Sequence, residues 1–426
     1  MLQCYTWERA RRRVAASYQR REPERSALYR IVSSIREQLP TVWEWRFQPE
    51  YGALRNVVLE SLDQYLNCGL LEHGAARVYC DCCKHSYLVA FSCKGRGVCP
   101  SCSAKRAVKF SEHLYDEVLE DVPYRHVVCS IPKRLRGYFR YDRSLLRVLF
   151  AAAWGSIQSE LAQSDGTPGF IATVQTAGDA INFNPHLHGM LSDGAWLTDN
   201  TFKPFEEINQ EKLTEAFGTL VLSSLQEQGL IDSDTVLQIQ SQEHTGFSVW
   251  VGESFQDKAR ELFVARNIER GPVSLEKLSI EHDIVTYTTK DGKCHEFDAL
   301  EFLALVTAHI PNRSECITRY YGYHSCRARG ERAKRQRAVS PVTELPEPKY
   351  KPSPTWAECI KRVYELDPLE CPRCKSQMRI VAFVKDHKEI EKIMHSMGIP
   401  KAQAPPPIPR VRGEQEELFM DEFPSF

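Results

Sequence analysis

The stretch Ile181–Asp193, INFNPHLHGMLSD, holds the pattern around which the chain is organised. Its centre, Pro185-His186-Leu187-His188-Gly189, sets a bulky apolar residue between two histidines. On a β-strand successive side chains alternate faces, so His186 and His188 share one face while Leu187 enters a core on the other. Residues two apart on a strand lie about 6–7 Å apart, a separation across which two imidazoles can hold one metal ion. A bare His-x-His is a weak signal, and its surroundings strengthen it. Upstream, FIATVQTA (residues 170–177) reads as a strand and a polar turn begins at Gly178, so the two segments form a hairpin. Gln175 then sits across from the histidines, where its amide can act as a third ligand.

A chain of 426 residues is long enough for two or three domains with sizeable cores. No apolar run approaches the roughly 18 residues that a membrane span needs, and the opening MLQCYTWERARRRVAAS has charge without an apolar signal-peptide core. The expected location is cytoplasmic. The 15 cysteines are then expected to be reduced, and their clustering points to metal, not disulfides. The net charge of -1 hides an uneven distribution. Basic residues gather at Arg9–Arg13, around the cysteines, at Lys133–Arg147 and at Arg327–Arg337, while acids collect in the tail from Glu414 to Glu422. A near-neutral sum is compatible with a strongly basic face.

The cysteines come next. Cys80-Asp-Cys82-Cys83 and Cys99-Pro-Ser-Cys102 are two knuckles separated by residues 84–98, the spacing of a zinc ribbon in which Cys80, Cys83, Cys99 and Cys102 hold one tetrahedral ion. Four thiolates close such a site, so it is structural. Cys82 and Cys93 are spare, with Cys93 read as a small buried side chain or a substitute ligand. Lys84, Lys94, Arg96, Lys105, Arg106 and Lys109 surround the ribbon, either as a phosphate grip or as a solvated rim. Near the other end, Cys371-Pro-Arg-Cys374 suggests a second zinc site completed by Cys359, His387 or His395.

Between these lies an alternation of strands and helices. Residues 1–75 have helical apolar spacing. Arg125–Pro132 reads as a core strand leading into the basic exit with Arg134 and Arg136, and Leu145–Leu161 as an amphipathic helix. Residues 204–230 read as helix and Gly246–Gly252 as strand. Asp257–Arg270 is a helix stopped by Gly271-Pro272, and Asp283–Phe297 is a hairpin with an Asp-Gly turn. Antiparallel hairpins interleaved with helices give an α+β fold, a central sheet flanked by helices. Arg319-Tyr-Tyr-Gly-Tyr323 followed by Arg327 and Arg329 suits stacking on unpaired bases, or alternatively packing of the tyrosines on the sheet.

Together, SCKGRGVCPSC, QTAGDAINFNPHLHG, GPVSLEKLS, HIP and RYYGYHS, in that order over roughly residues 76–330, resemble the HUH rolling-circle transposases of bacterial insertion sequences. The resemblance implies an HUH-type central antiparallel sheet and a divalent ion, Mg2+ or Mn2+, on His186 and His188 that polarises a scissile phosphate. It implies a tyrosine nucleophile that forms a 5′-phosphotyrosine and frees a 3′-hydroxyl. The partner would be DNA, mainly single-stranded or hairpin ends of the chain's own element, placing the protein on the nucleoid when bound. The expected DNA contacts are Lys94, Arg96, Lys105, Arg106, Arg134, Arg136, Arg266, Arg270, Arg319, Arg327 and Arg329. Histidine and glutamine ligation alone does not name the metal, since imidazole also suits zinc, iron and nickel. The implied organisation is a helical region over 1–75, a DNA-binding zinc ribbon over 76–112, the catalytic domain over 120–330, a basic Pro-rich linker over 331–354, a small CxxC domain over 355–400 and a disordered tail over 401–426.

One departure matters. The family's nucleophile sits in a helix just before an Arg-Pro or Gly-Pro stop, and that position here reads Ala265-Arg266-Asn267-Ile268-Glu269-Arg270. In members with two tyrosines the other lies four residues earlier, here Phe263. An amide is no nucleophile toward phosphate, and a phenyl ring has no hydroxyl. Three readings follow: a cleavage-deficient copy that still binds DNA, a substitute tyrosine drawn from Tyr320, Tyr321 and Tyr323, or a shifted register. Outside tyrosine chemistry stand a metal-dependent phosphoesterase that uses water and a non-catalytic zinc-ribbon DNA-binding regulator.

Overall fold

A computed structural model of the chain describes residues 21–161, 166–282, 284–339 and 367–401. The Arg9–Arg13 cluster, Cys359, most of the Pro-rich linker and nearly all of the tail lie outside these residues. In chain order the described strands are β1 (Ala75–Tyr79), β2 (Ser86–Ala90), β3 (Tyr124–Ser130), β4 (Gly166–Ala177), β5 (Phe183–Leu197) and β6 (Phe202–Pro204). They continue with β7 (Ser248–Phe255), β8 (Leu278–Glu281), β9 (Ile284–Thr288), β10 (Cys294–Asp298), β11 (Thr318–Gly322) and β12 (Arg379–Val384). The main sheet runs β11-β4-β5-β3-β7, with β6 added to β5, and every pairing in it is antiparallel. The α+β class with an antiparallel centre is therefore what the chain forms.

The hairpin of β4 and β5 is the centre of this sheet. Gln175 pairs with His186, Val174 with Leu187 and Thr173 with His188. Leu187 is fully buried, and with Val127, Cys129, Ala172, Val174 and Leu191 it packs one face of the sheet into the largest apolar core. That core is completed by the helices Leu146–Leu161 and Gln210–Glu227. Gly189 is needed on this face, because a Cβ there would come within 2.4 Å of the Phe170 ring.

The opposite face carries Tyr124, Ile171 and Met190, covered by the helices Pro100–Glu117 and Lys258–Ile268. The second of these begins on Asp257, whose side chain accepts from the Arg260 amide. It buries Glu261, Val264, Ala265 and Ile268 at helical spacing, which leaves Phe263 and Asn267 on its other side. A further core joins the Ala27–Ile35 and Asn56–Leu66 helices to β8–β10 and the Ala299–Ala308 helix, with Ile181 and Val273 between them.

The cysteines depart from expectation. Cys80, Cys83, Cys99 and Cys102 do not converge on one site. Cys99 and Cys102 meet Cys68 and Cys93, while Cys80 and Cys83 meet Cys371 and Cys374. The physical cause is the path of the chain. Cys99 caps the start of the Pro100–Glu117 helix, which turns that knuckle into the core containing Cys68, whereas β1 and β2 carry Cys80 and Cys83 into a separate sheet with β12. Cys93 is thus a cluster member and not a spare small side chain. His387 faces the Glu72 carbonyl and Glu391, and neither it nor His395 joins the Cys371–Cys374 group.

Two tests follow. Leu187→Ala should cost about 2–5 kcal/mol, read as a fall in the urea midpoint, because the hairpin's inner face has no other residue at that position. His309 is fully buried between Thr176 and the Ile181 carbonyl, and burial lowers its pKa to about 4. His324, fully buried beside the Tyr124 hydroxyl, is lowered by burial to about 3. In both cases the unfolded chain takes up the proton first as pH falls through the ordinary value of 6.5. Stability should therefore fall from pH 6.5 towards pH 4, by up to about 1.4 kcal/mol per pH unit for each histidine. Urea midpoints across that range measure it, and His324→Asn should flatten the slope.

Candidate metal and nucleic-acid site

On the sheet face opposite Leu187, the side chains of His186 and His188 meet. Their Nε2 atoms lie 3.1 Å apart, with the rings at 70°. His186 Nδ1 lies 2.6 Å from the Asn184 carbonyl. A carbonyl only accepts, so Nδ1 carries the proton and Nε2 offers its lone pair. His188 has a partner as well. Its Nδ1 is 3.1 Å from Nε2 of His126 on β3, and the two rings stack at 5.3 Å. When His188 Nδ1 donates to His126, His188 Nε2 is also left bare. Burial keeps all three rings neutral: His126 is lowered to about 4, His188 to about 3, and His186 is lowered too. Neutral imidazole is the form that binds metal.

Gln175, which pairs with His186, is held in a particular orientation. Its Nε2 donates to the carbonyls of Asn267 at 2.6 Å and Ile268 at 2.8 Å. Two carbonyls fix which end of the amide is nitrogen, so its oxygen is the end free to coordinate. The donor set fits a divalent ion. Metal–nitrogen bonds of about 2.1 Å meeting near a right angle would put two nitrogens about 3.0 Å apart. A further oxygen supports the fit, since Oδ1 of Asn184, on the same wall, is buried with no hydrogen-bond partner in the described structure.

The site opens into a cleft of about 540 Å³ that also takes in Phe263, Asn267, Ile268, Arg270 and Lys290. The Lys258–Ile268 helix and the histidines thus line the same opening. Asn267 turns its own amide back along the helix, donating to the Phe263 carbonyl at 3.0 Å. The tyrosines considered as substitutes are elsewhere. Tyr320 and Tyr321 pair with Ile171 and Phe170 on β4, farther along the sheet than Gln175. Tyr321 stacks on Trp154 at 5.3 Å and Tyr323 on Trp196 at 3.8 Å, and none of the three lines the cleft. Burial raises all three hydroxyls, Tyr320 to about 12. Tyr321 and Tyr323 are packed against tryptophans, and Tyr320 borders an adjoining groove.

The expected cations divide similarly. Arg96 and Arg106 line the cleft, Arg106 lying 3.8 Å from Glu269, and both also border an adjoining groove of about 640 Å³ with Lys94, Lys105 and Tyr320. Arg270 lines the cleft just beyond the Lys258–Ile268 helix, Arg266 is exposed on that helix, and the charge of Arg136 acts on His186. Arg134 and Arg319 lie farther off, Arg134 reaching Gln238 and Arg319 lying over Phe150. Arg327 pairs with Glu331, and Arg329 lies over Tyr320 while donating to the His324 carbonyl. The sequence reading missed His126, Asn184, Lys277 and Lys290 here, and Cys68 among the cysteines. His126 reaches the site because it stands two residues before Val128, which pairs with His188 across β3 and β5, a pairing no local pattern marks.

Among the described residues no helix is long and apolar enough to cross a membrane. Residues 41–131 match the family described as "Transposase zinc-binding domain", and residues 169–332 match the one described as "Putative transposase". The transposase for insertion sequence element IS801 of Pseudomonas savastanoi pv. phaseolicola is 23% identical over 364 residues, covering 80% of this chain and 87% of that protein. The "Putative transposase y4qJ" of Sinorhizobium fredii (strain NBRC 101917 / NGR234) is 29% identical over 126 residues, or 29% of this chain and 31% of that one. No solved structure matches. The first family match holds both knuckles, and within it Cys99 and Cys102 meet Cys68 and Cys93, four thiols gathered in the manner of a structural zinc centre. The second holds the histidine hairpin and the helix that faces it, and the two in succession make this chain a member of the insertion-sequence transposase family that carries an N-terminal zinc-binding domain.

Proposed function

We propose that the cleft is the DNA site of an HUH-type, rolling-circle transposase, and that with Asn267 at the nucleophile position this chain binds its DNA without cutting it. The observation that carries the reading is the Gln175 side chain, which sits beside the histidines and grips the backbone of Asn267 and Ile268. A residue at 267 is thereby held over the same opening as the metal donors. A divalent ion on His186, His188 and Gln175, magnesium or manganese, would supply Lewis acidity to a phosphate oxygen.

The chain's own groups account for the rest. His126 holds the His188 ring in the tautomer that leaves Nε2 bare, a common arrangement behind metal-binding histidines. Arg96, Arg106, Arg270 and Lys290 bring positive charge to the walls, which suits a phosphodiester backbone. In the full reaction a tyrosine oxygen at 267 would attack phosphorus. It would form the 5′-phosphotyrosine bond as the bond to O3′ breaks, and the leaving oxygen would take a proton to become the 3′-hydroxyl. Asn267 has no oxygen nucleophile for that step. The preferred DNA is single-stranded or hairpin ends of the chain's own element, and Lys94, Lys105 and Tyr320 in the adjoining groove offer cations and a ring to a neighbouring nucleotide.

Asn267→Tyr should give a protein–DNA adduct, seen as a shifted band when labelled single strand is incubated with manganese and run on a denaturing gel. The unaltered chain should give neither adduct nor fragments. Free fragments from it would instead mean hydrolysis by water, and a folded Asn267→Tyr chain that binds metal yet forms no adduct would refute the register. Adding His186→Ala to Asn267→Tyr should abolish the adduct. DNA affinity, set mainly by the cations, should change by no more than about threefold.

A further inference from the structure

The two cysteine clusters are built differently. Cys68, Cys93, Cys99 and Cys102 come from one stretch of chain, whereas the second cluster draws Cys80 and Cys83 from near the start and Cys371 and Cys374 from near the end. In the second, Cys80 Sγ is 3.5 Å from Cys374 Sγ and Cys83 Sγ is 3.5 Å from Cys371 Sγ, across 294 and 288 residues. All four sulfurs lie within 4.8 Å of one another, and none is in a disulfide. Thiolates about 2.3 Å from a tetrahedral zinc ion would stand about 3.8 Å apart, close to what is seen.

The backbone is shaped for the same purpose twice. Both pairs stand in a Cys-x-x-Cys-Lys sequence. The Lys84 amide donates to the Cys80 carbonyl at 2.9 Å, and the Lys375 amide to the Cys371 carbonyl at 2.9 Å. The Cys80 amide donates to His85 O and the Cys371 amide to Ser376 O, at 2.8 and 2.9 Å. Lys84 and Lys375 are both left-handed, at φ 62° and 61°, a conformation uncommon outside glycine. Two copies of one turn face each other with their sulfurs converging.

The remaining contacts between the segments are a strand pairing, two small apolar clusters and a few polar bonds, with Met378 packed on Val78 and Val89, Tyr87 donating to the Pro368 carbonyl and His387 facing the Glu72 carbonyl. β12 pairs with β1, Arg379 bonds Asp81, and Ile390 and Met394 pack on Leu71, Ala75 and Leu88. Yet Ile380, Val381 and Phe383 of β12 are 39%, 40% and 69% exposed. An apolar core this small commonly needs a metal or a cross-link.

We propose that Cys80, Cys83, Cys371 and Cys374 bind a zinc ion of their own, and that this ion locks residues 367–401 into the N-terminal module as the second half of a ribbon whose first half is residues 75–90. Residues 367–401 are then not a separate small domain. The transposase core is the long insertion between two halves of one metal-dependent unit, and the ion ties both ends of that insertion together.

Zinc content of the full chain, measured by atomic emission after gel filtration, should be two per chain, and Cys371→Ser/Cys374→Ser should hold one. One zinc in the unaltered chain, or two in the variant, would overturn the proposal. A second measurement does not depend on the count. With a protease site inserted between residues 340 and 366, the cleaved C-terminal piece should co-elute with the rest of the zinc-loaded chain. It should separate when the same chain carries Cys371→Ser/Cys374→Ser. Co-elution of the cleaved variant would show that pairing and packing suffice without the ion, and the locking role would fail.

Discussion

The antiparallel pairing of β4 with β5 is the constraint on which the molecule depends. It sets Val174 against Leu187 on the inner face and, by the two-residue alternation of a strand, Gln175 beside His186 on the outer one. A slip of one residue would bury both imidazoles in the apolar core and put Leu187 at the cleft. Core packing and site chemistry are therefore written in the same register, and a chain that folds its largest core has already presented its donors. Gly189 tightens this further by letting the Phe170 ring close over the strand.

A second level of organisation comes from parts that the linear sequence keeps apart. β3 brings His126 to His188, the Lys258–Ile268 helix lies over the donors, and Arg96 and Arg106 arrive from the cysteine-rich region to line the same opening. Cys99 and Cys102 share a core with Ile181 and Val273, so the zinc-binding region and the histidine hairpin's turn are packed as one body. Metal-dependent folding in the first would thus be felt in the walls of the second.

The local patterns were readable because they are short-range. Strand alternation identified the histidine pair, and helical spacing with the Gly271-Pro272 stop identified the helix that faces it. The turn at Gly178 marked the hairpin. What escaped depends on long-range partners. Cys68 stands alone in TyrLeuAsnCysGly with no spacing to mark it, and the division of the four knuckle cysteines between two sites follows only from the pairing of β12 with β1. Proximity along the chain favoured Cys80, Cys83, Cys99 and Cys102 as one set. The Pro100–Glu117 helix, which carries Cys102 and starts on Cys99, turns that pair inward instead. For Tyr321 and Tyr323, an aromatic beside an arginine looks the same in sequence whether it stacks on a base or on Trp154 and Trp196.

Gln175 holds its neighbouring helix by main-chain oxygens alone. Such a grip is indifferent to the side chain it carries, so nothing in the folding of this chain selects between an amide and a phenol at that place. An asparagine codon differs from a tyrosine codon in one nucleotide. On the proposed role of position 267, the scaffold would pass silently between armed and unarmed forms over generations, keeping its shape while a single base decides whether the element it serves can move.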